Sequence, residues 1–71
     1  MKHFYFWFGI TNEYSDICGE EFLVAVEGVN AFDARENAVQ LAQSIFFNEE
    51  RITCYGKVSA AQAEMMGLDI Y

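Results

Sequence analysis

The segment His3–Ile10 is apolar on both sides of an extended backbone. Successive side chains of a β-strand point to opposite faces. The alternation then places four apolar side chains on one face: Phe4, Phe6, Phe8 and Ile10. Tyr5 and Trp7 point the other way, to a side that we name the second face. One helix can cover only one side of a sheet, so the second face is expected to need a partner.

A second strand is predicted at Glu21–Gly28, after a connecting loop at Asn12–Glu20 that has turn formers at both ends. Phe22, Val24 and Val26 alternate there with Glu21, Leu23, Ala25 and Glu27. The outer side of this strand is therefore only half polar. Leu23 and Ala25 are expected to extend the second face.

A long helix is predicted next, with two competing start positions. Asn30 can accept a hydrogen bond from a first-turn amide, and Asp33 followed by Glu36 offers a start three residues later. From either start, apolar residues recur at helical spacing: Ala34, Ala38, Leu41, Ala42 and Ile45. Because this stripe is mostly alanine, we expect the helix to approach the sheet closely and the phenylalanines to fill the layer.

The segment Arg51–Val58 resumes an alternation and predicts a third strand. The expected helix-facing residues are Ile52, Cys54 and Val58, and the expected second-face residues are Thr53, Tyr55 and Lys57. A short helix at Ala60–Met66 follows, because Ser59 and Gln62 have the spacing of a capping box and Gly67 can close the helix.

Together these elements predict a two-layer α+β fold of order ββαβα. The long helix returns the chain to the starting end of strand two, so strand three runs parallel to strand two. Strand one is the most apolar and is expected in the centre, which gives a three-stranded mixed sheet of order 2-1-3. At 71 residues, the whole span 1–71 is one domain.

Composition narrows the classes of partner. At 54% hydrophobic and 17% aromatic residues, the chain is too apolar to be disordered, and some large side chains should stay exposed. A formal charge of −7 repels phosphate backbones, disfavours direct nucleic-acid binding and leaves basic partners open. No apolar run approaches the roughly 18 residues of a membrane span.

The cysteines and the start of the chain predict a cytoplasmic location. Cys18 and Cys54 lie in unlike contexts, so we interpret both as reduced thiols. The apolar run after Lys2 is short and aromatic, and no small-residue cleavage site follows it.

No residue pattern predicts catalysis. His3 is the only histidine and has no neighbour at metal-ligand spacing, and the cysteines match no zinc pattern. The five glycines are scattered and form no phosphate-binding loop. We therefore expect no catalytic residue, metal or cofactor, and a protein that is not an enzyme.

The leading hypothesis is a non-catalytic protein-interaction module that forms a homodimer through its second face. The expected interface residues are Tyr5, Trp7, Leu23 and Tyr55. Aromatic residues with a polar tip are enriched at such anchors. The alternative is that the chain covers this face itself, through the Asn12–Glu20 loop or through Leu68–Tyr71.

A hypothesis of another class is an acidic inhibitor whose carboxylates stand in for the phosphates of a nucleic acid. The candidate residues are Glu13, Asp16, Glu20, Glu49, Glu50 and Asp69. In size and charge the chain is similar to the small accessory proteins that phages use against host restriction or CRISPR systems. A third interpretation is a small-ligand-binding protein with a pocket between the Asn12–Glu20 loop and the sheet.

Overall fold

The computed structural model describes residues 2–10, 21–46 and 52–71. The elements are β1 (Lys2–Ile10), β2 (Glu21–Gly28), α1 (Ala31–Ile45), β3 (Ile52–Val58) and α2 (Ala60–Met66). This order confirms the predicted ββαβα chain and its α+β class. Arg51, predicted as the first residue of strand three, lies outside the described residues.

The three strands form one sheet of order β2-β1-β3, as predicted. Both neighbours of β1 run antiparallel to it, so β3 and β2 point in the same direction. The prediction of a mixed sheet is wrong, because β1 separates the two parallel strands and each hydrogen-bonded pair of named strands is antiparallel.

Large aromatic side chains of the sheet pack against small residues of α1. Phe6 and Phe8 of β1 are 2% and 1% exposed. The facing residues of α1, Ala34, Ala38 and Ala42, have no exposed surface. This arrangement confirms the predicted layer, since alanines let the helix axis approach and the phenylalanines fill the space.

Asn30 begins α1 and decides between the two predicted start positions. Its side-chain oxygen accepts a hydrogen bond from the Asp33 amide at 2.9 Å, as expected of an N-cap residue. The Asp33 carboxylate accepts from the Val29 amide at 3.2 Å and lies at the positive end of the helix dipole. Asp33 therefore supports the start at Asn30.

A β-bulge interrupts β3 beside Trp7. Trp7 pairs with Gly56 and Phe8 pairs with Cys54, so Tyr55 is the extra residue between two regular pairs. Gly56 has a φ of 139°, a backbone conformation that L side chains rarely adopt. The bulge reverses the alternation for the rest of the strand.

The reversal corrects two of the predicted side-chain directions in β3. Val58 pairs with Tyr5 and therefore lies on the second face instead of the helix-covered face. Lys57 pairs with Phe6, and its ammonium lies 5.7 Å from the centroid of the Phe4 ring on the α1 side. The predicted directions are confirmed for the residues before the bulge, since Ile52 and Cys54 pack against the core.

Helix α2 begins and ends as the sequence predicts. Ser59 accepts a hydrogen bond from the Gln62 amide, the Gln62 side chain accepts one from the Ser59 amide, and Gly67 closes the helix in the left-handed conformation. Ala63 is 3% exposed. Because Met65 and Met66 line one depression with Trp7 and Val58, α2 lies over the second face.

The segment Asp69–Tyr71 runs along the outer edge of β2. Its residue Ile70 forms an isolated parallel bridge with Leu23. The Leu23 amide donates to the Asp69 carbonyl at 2.8 Å, and the Tyr71 amide donates to the Leu23 carbonyl at 2.9 Å. The predicted docking of Leu68–Tyr71 therefore takes place at a sheet edge.

Candidate interaction surface

The Trp7 and Tyr55 side chains form an aromatic pair on the second face. Their ring centroids are 4.8 Å apart and the ring planes are tilted by 58°. Tyr55 lies on this side as regular alternation predicts, and the absence of a side chain at Gly9 gives its ring a place to lie. Tyr55 keeps 48% of its surface exposed.

An apolar depression lies between α2 and β3, next to this pair. It is lined by Trp7, Val58, Gln62, Met65 and Met66, and none of these side chains is charged. Met65 is 87% exposed. We name Trp7, Tyr55, Val58, Met65 and Met66 the α2–β3 patch.

The indole N–H of Trp7 has no hydrogen-bond acceptor among the described residues, although its Nε1 atom is buried. Buried Trp N–H groups usually have a partner, because an unsatisfied donor is unfavourable away from water.

The four predicted interface residues do not share one environment. Tyr5 and Trp7 are half-buried, and Tyr55 is exposed. Leu23 has no exposed surface, and the Asp69–Tyr71 segment pairs with its backbone. The expectation that Leu23 lies on an open face is therefore wrong.

The alternative predicted from the sequence is that the chain covers its own second face. Helix α2, which that alternative did not name, covers part of this face. The Asp69–Tyr71 part of the Leu68–Tyr71 segment pairs with Leu23 at the β2 edge, whereas the alternative expected this segment to lie across the face. Sequence reasoning missed α2 as a cover and Met65 as an exposed apolar residue. The sequence signal for α2 as a cover is the spacing of Ala63 and Met66, because residues three apart share one helix face and can pack together against the sheet. The Asn12–Glu20 loop lies outside the described residues.

Most of the predicted acidic surface lies outside the described residues. Five of its members lie outside the described residues: Glu13, Asp16, Glu20, Glu49 and Glu50. Asp69 is exposed, and its backbone carbonyl joins the seam with β2. The proposed pocket beneath the Asn12–Glu20 loop also lies outside the described residues.

The described side chains offer little reactive chemistry. His3 Nδ1 lies 3.6 Å from Glu27 Oε1, and both side chains are more than half exposed, so this pair contributes little stability. Cys54 is half-buried against the core, and Cys18 lies outside the described residues. No group of three or more His, Cys, Asp and Glu residues in the described ranges is placed to bind a metal ion.

Two further apolar side chains are exposed at and just before the start of α1. Phe32 is 73% exposed and Val29 is 64% exposed. The depression beside Phe32 is also lined by Arg35 and Glu36, so a partner docking there would have to desolvate charged groups. No charged side chain lines the depression of the α2–β3 patch, so a partner docking there desolvates no charged group of that lining.

Among the helices of the described residues, none is long and apolar enough to cross a bilayer. Comparison of the chain with protein-family models, curated proteins and solved structures finds no match in any of the three.

Proposed function

We propose that this chain is a non-catalytic protein-interaction module that forms a homodimer through the α2–β3 patch. The observation that carries the proposal is the exposure of Met65 and Tyr55 beside the half-buried ring of Trp7. Aromatic residues and methionine are enriched where protein interfaces are most buried, and charged residues are depleted there. The uncharged lining of the patch fits that composition.

Features at both edges of the sheet disfavour direct strand-to-strand association, which favours association through the second face. At the β2 edge, Asp69–Tyr71 occupies the Leu23 backbone, and the Asn37 side chain donates to the Glu27 carbonyl at 3.0 Å. At the β3 edge, the bulge at Tyr55 interrupts regular pairing and Lys57 adds a charge. Covered edges, bulges and edge lysines all oppose strand-to-strand association.

A second copy suits the patch because a two-fold interface brings the same surface together from both chains. The chain carries a formal charge of −7, so two copies repel each other over long distances. The patch lining contains no charged side chain, so two copies can meet there without placing like charges in contact through that lining.

Light scattering of the wild type and of Met65→Glu tests this proposal. We expect a wild-type mass of about 16 kDa, twice the 8.1 kDa of the chain, and a folded Met65→Glu monomer. Because Met65 is 87% exposed, its replacement should break the interface without disturbing the core. Circular dichroism checks that the variant is folded.

Gln43→Glu is the matched control, since it adds the same charge at an exposed position of α1. It should remain dimeric. A monomeric wild type would contradict the homodimer. A Met65→Glu protein that stays dimeric would contradict the assignment of the interface to the α2–β3 patch.

A further inference from the structure

The outer edge of β2 is built to hold an extended segment. Three backbone hydrogen bonds of 2.8 to 2.9 Å join it to Asp69–Tyr71, including one from the Ala25 amide to the Tyr71 carbonyl. Leu23 uses both its amide and its carbonyl in this seam. The Ile70 backbone takes no part in these three bonds, as expected for alternate residues of a strand.

Side chains add specificity to this backbone seam. The Tyr71 ring meets the rings of Phe22 and Phe46 edge-on, with centroid distances of 5.7 and 5.5 Å. The ring centroids of Phe22 and Phe46 are 4.7 Å apart. A residue two positions after Asp69 therefore places an aromatic ring in a site formed by β2 and the end of α1.

The resident segment is short and partly exposed. Ile70 and Tyr71 remain 50% and 44% exposed, and the segment follows α2 directly after Gly67, which has a φ of 65°. Short exposed segments with few backbone hydrogen bonds open more readily than a core strand. Opening would free a sheet edge and a complementary strand on the same molecule.

We propose that the β2 edge is a strand-acceptor site that binds the Asp69–Tyr71 segment of a second copy in place of its own. A second copy is the expected occupant because its Asp69–Tyr71 segment would make the same hydrogen bonds and aromatic contacts as the chain's own segment. Exchange of identical elements is a low-cost route to association. This site is separate from the α2–β3 patch and does not depend on it.

A complementation experiment between two full-length variants tests the exchange. Tyr71→Pro removes the amide that bonds to Leu23 and the ring, but leaves the acceptor edge intact. Ala25→Pro removes one donor of the edge but leaves the segment intact. The amide of Ala25 points out of the β1–β2 pair, so its loss should spare that pair.

The measured quantity is the hydrogen-exchange rate of the Leu23 amide in ¹⁵N-labelled Tyr71→Pro. We expect this rate to be faster than in the wild type. Unlabelled Ala25→Pro at about 1 mM should then slow it at least about twofold, because short tethers correspond to millimolar effective concentrations. The double variant Ala25→Pro/Tyr71→Pro carries no intact segment and should have no effect.

Two results would overturn the proposal: a Leu23 amide that exchanges no faster in Tyr71→Pro alone, or one that the Ala25→Pro protein does not slow more than the double variant. If Ala25→Pro fails to fold, the unlabelled wild-type chain supplies the intact segment instead. If Tyr71→Pro fails to fold, Tyr71→Ala takes its place as the labelled chain. Adding Met65→Glu to every chain removes the proposed face dimer, so the two proposals fail or succeed separately.

Discussion

At the scale of single residues, Gly9 and Gly28 lie where a side chain has no room. A Cβ at Gly28 would lie 2.7 Å from the Ala34 nitrogen and 2.8 Å from its Cα, which are backbone atoms of α1. A Cβ at Gly9 would lie 2.6 and 2.7 Å from Cε2 and Cζ of the Tyr55 ring. The first contact fixes how closely the helix follows β2, and the second shapes the α2–β3 patch.

These contacts predict unequal costs for the same substitution. Gly28→Ala should destabilise the fold by about 1 to 3 kcal/mol, because the α1 backbone must shift to relieve the overlap. Gly9→Ala should cost less, because the partly exposed Tyr55 ring can swing away, but it should change the fluorescence of Trp7, the only tryptophan. Urea unfolding measures both free energies. The account is contradicted if Gly9→Ala costs more than Gly28→Ala and leaves the emission unchanged.

At the scale of elements, the bulge in β3 decides which side chains reach the second face. It turns Val58 to the face that Trp7 and Tyr55 share, while Lys57 moves over Phe4. Without this one irregularity, regular alternation would bury Val58 under α1 and leave Lys57 on the second face. The apolar character of the patch therefore depends on a single extra residue in the strand.

Gly56→Ala should strain the bulge. Apart from its chain neighbours, no atom of the described residues lies within 4 Å of a Cβ built at Gly56, so the expected cost comes from its φ of 139°. We expect a loss of about 1 to 3 kcal/mol and a changed Trp7 emission spectrum. Thr53→Ala, at an exposed position of the same strand, should change the free energy of unfolding by less than about 0.5 kcal/mol. Equal stability of Gly56→Ala and Thr53→Ala would mean that the strand does not need this conformation.

Local sequence signals predicted the elements well, because their causes are local. Asn30, Ser59 and Gly67 all cap helices as expected, since capping depends on neighbouring amides. The order 2-1-3 followed from the apolar character of β1 and the return of the chain through α1.

Other features depend on residues that are distant in sequence. An isolated glycine in a strand is a recognised bulge signal, but Gly56 alone does not show which neighbour becomes the extra residue. The edge pairing of Leu23 depends on Asp69–Tyr71 reaching β2, more than 40 positions later in the chain. The position of α2 over Trp7 likewise depends on the path of the chain after β3.

At the scale of the whole molecule, the described residues leave few apolar surfaces open. Helix α1 covers one face of the sheet and α2 covers part of the other. Asp69–Tyr71 occupies the β2 edge, and the bulge in β3 opposes regular pairing at the other edge. The exposed large apolar side chains include Tyr55 and Met65 of the α2–β3 patch, Phe32 of α1, and Ile70 and Tyr71 at the β2 edge. The charged side chains beside Phe32 favour the α2–β3 patch as the surface through which two copies associate.

The most direct test is an NMR dilution series that follows the backbone amide shifts of ¹⁵N-labelled wild-type protein. Dissociation should move the amides of Tyr55, Val58, Met65 and Met66, because these residues lose their partner on dilution. The exposed α1 residues Phe32 and Gln43 should stay unchanged and serve as internal controls. Shifts concentrated around Phe32, or no concentration-dependent shift at the patch, would contradict a homodimer formed through the α2–β3 patch.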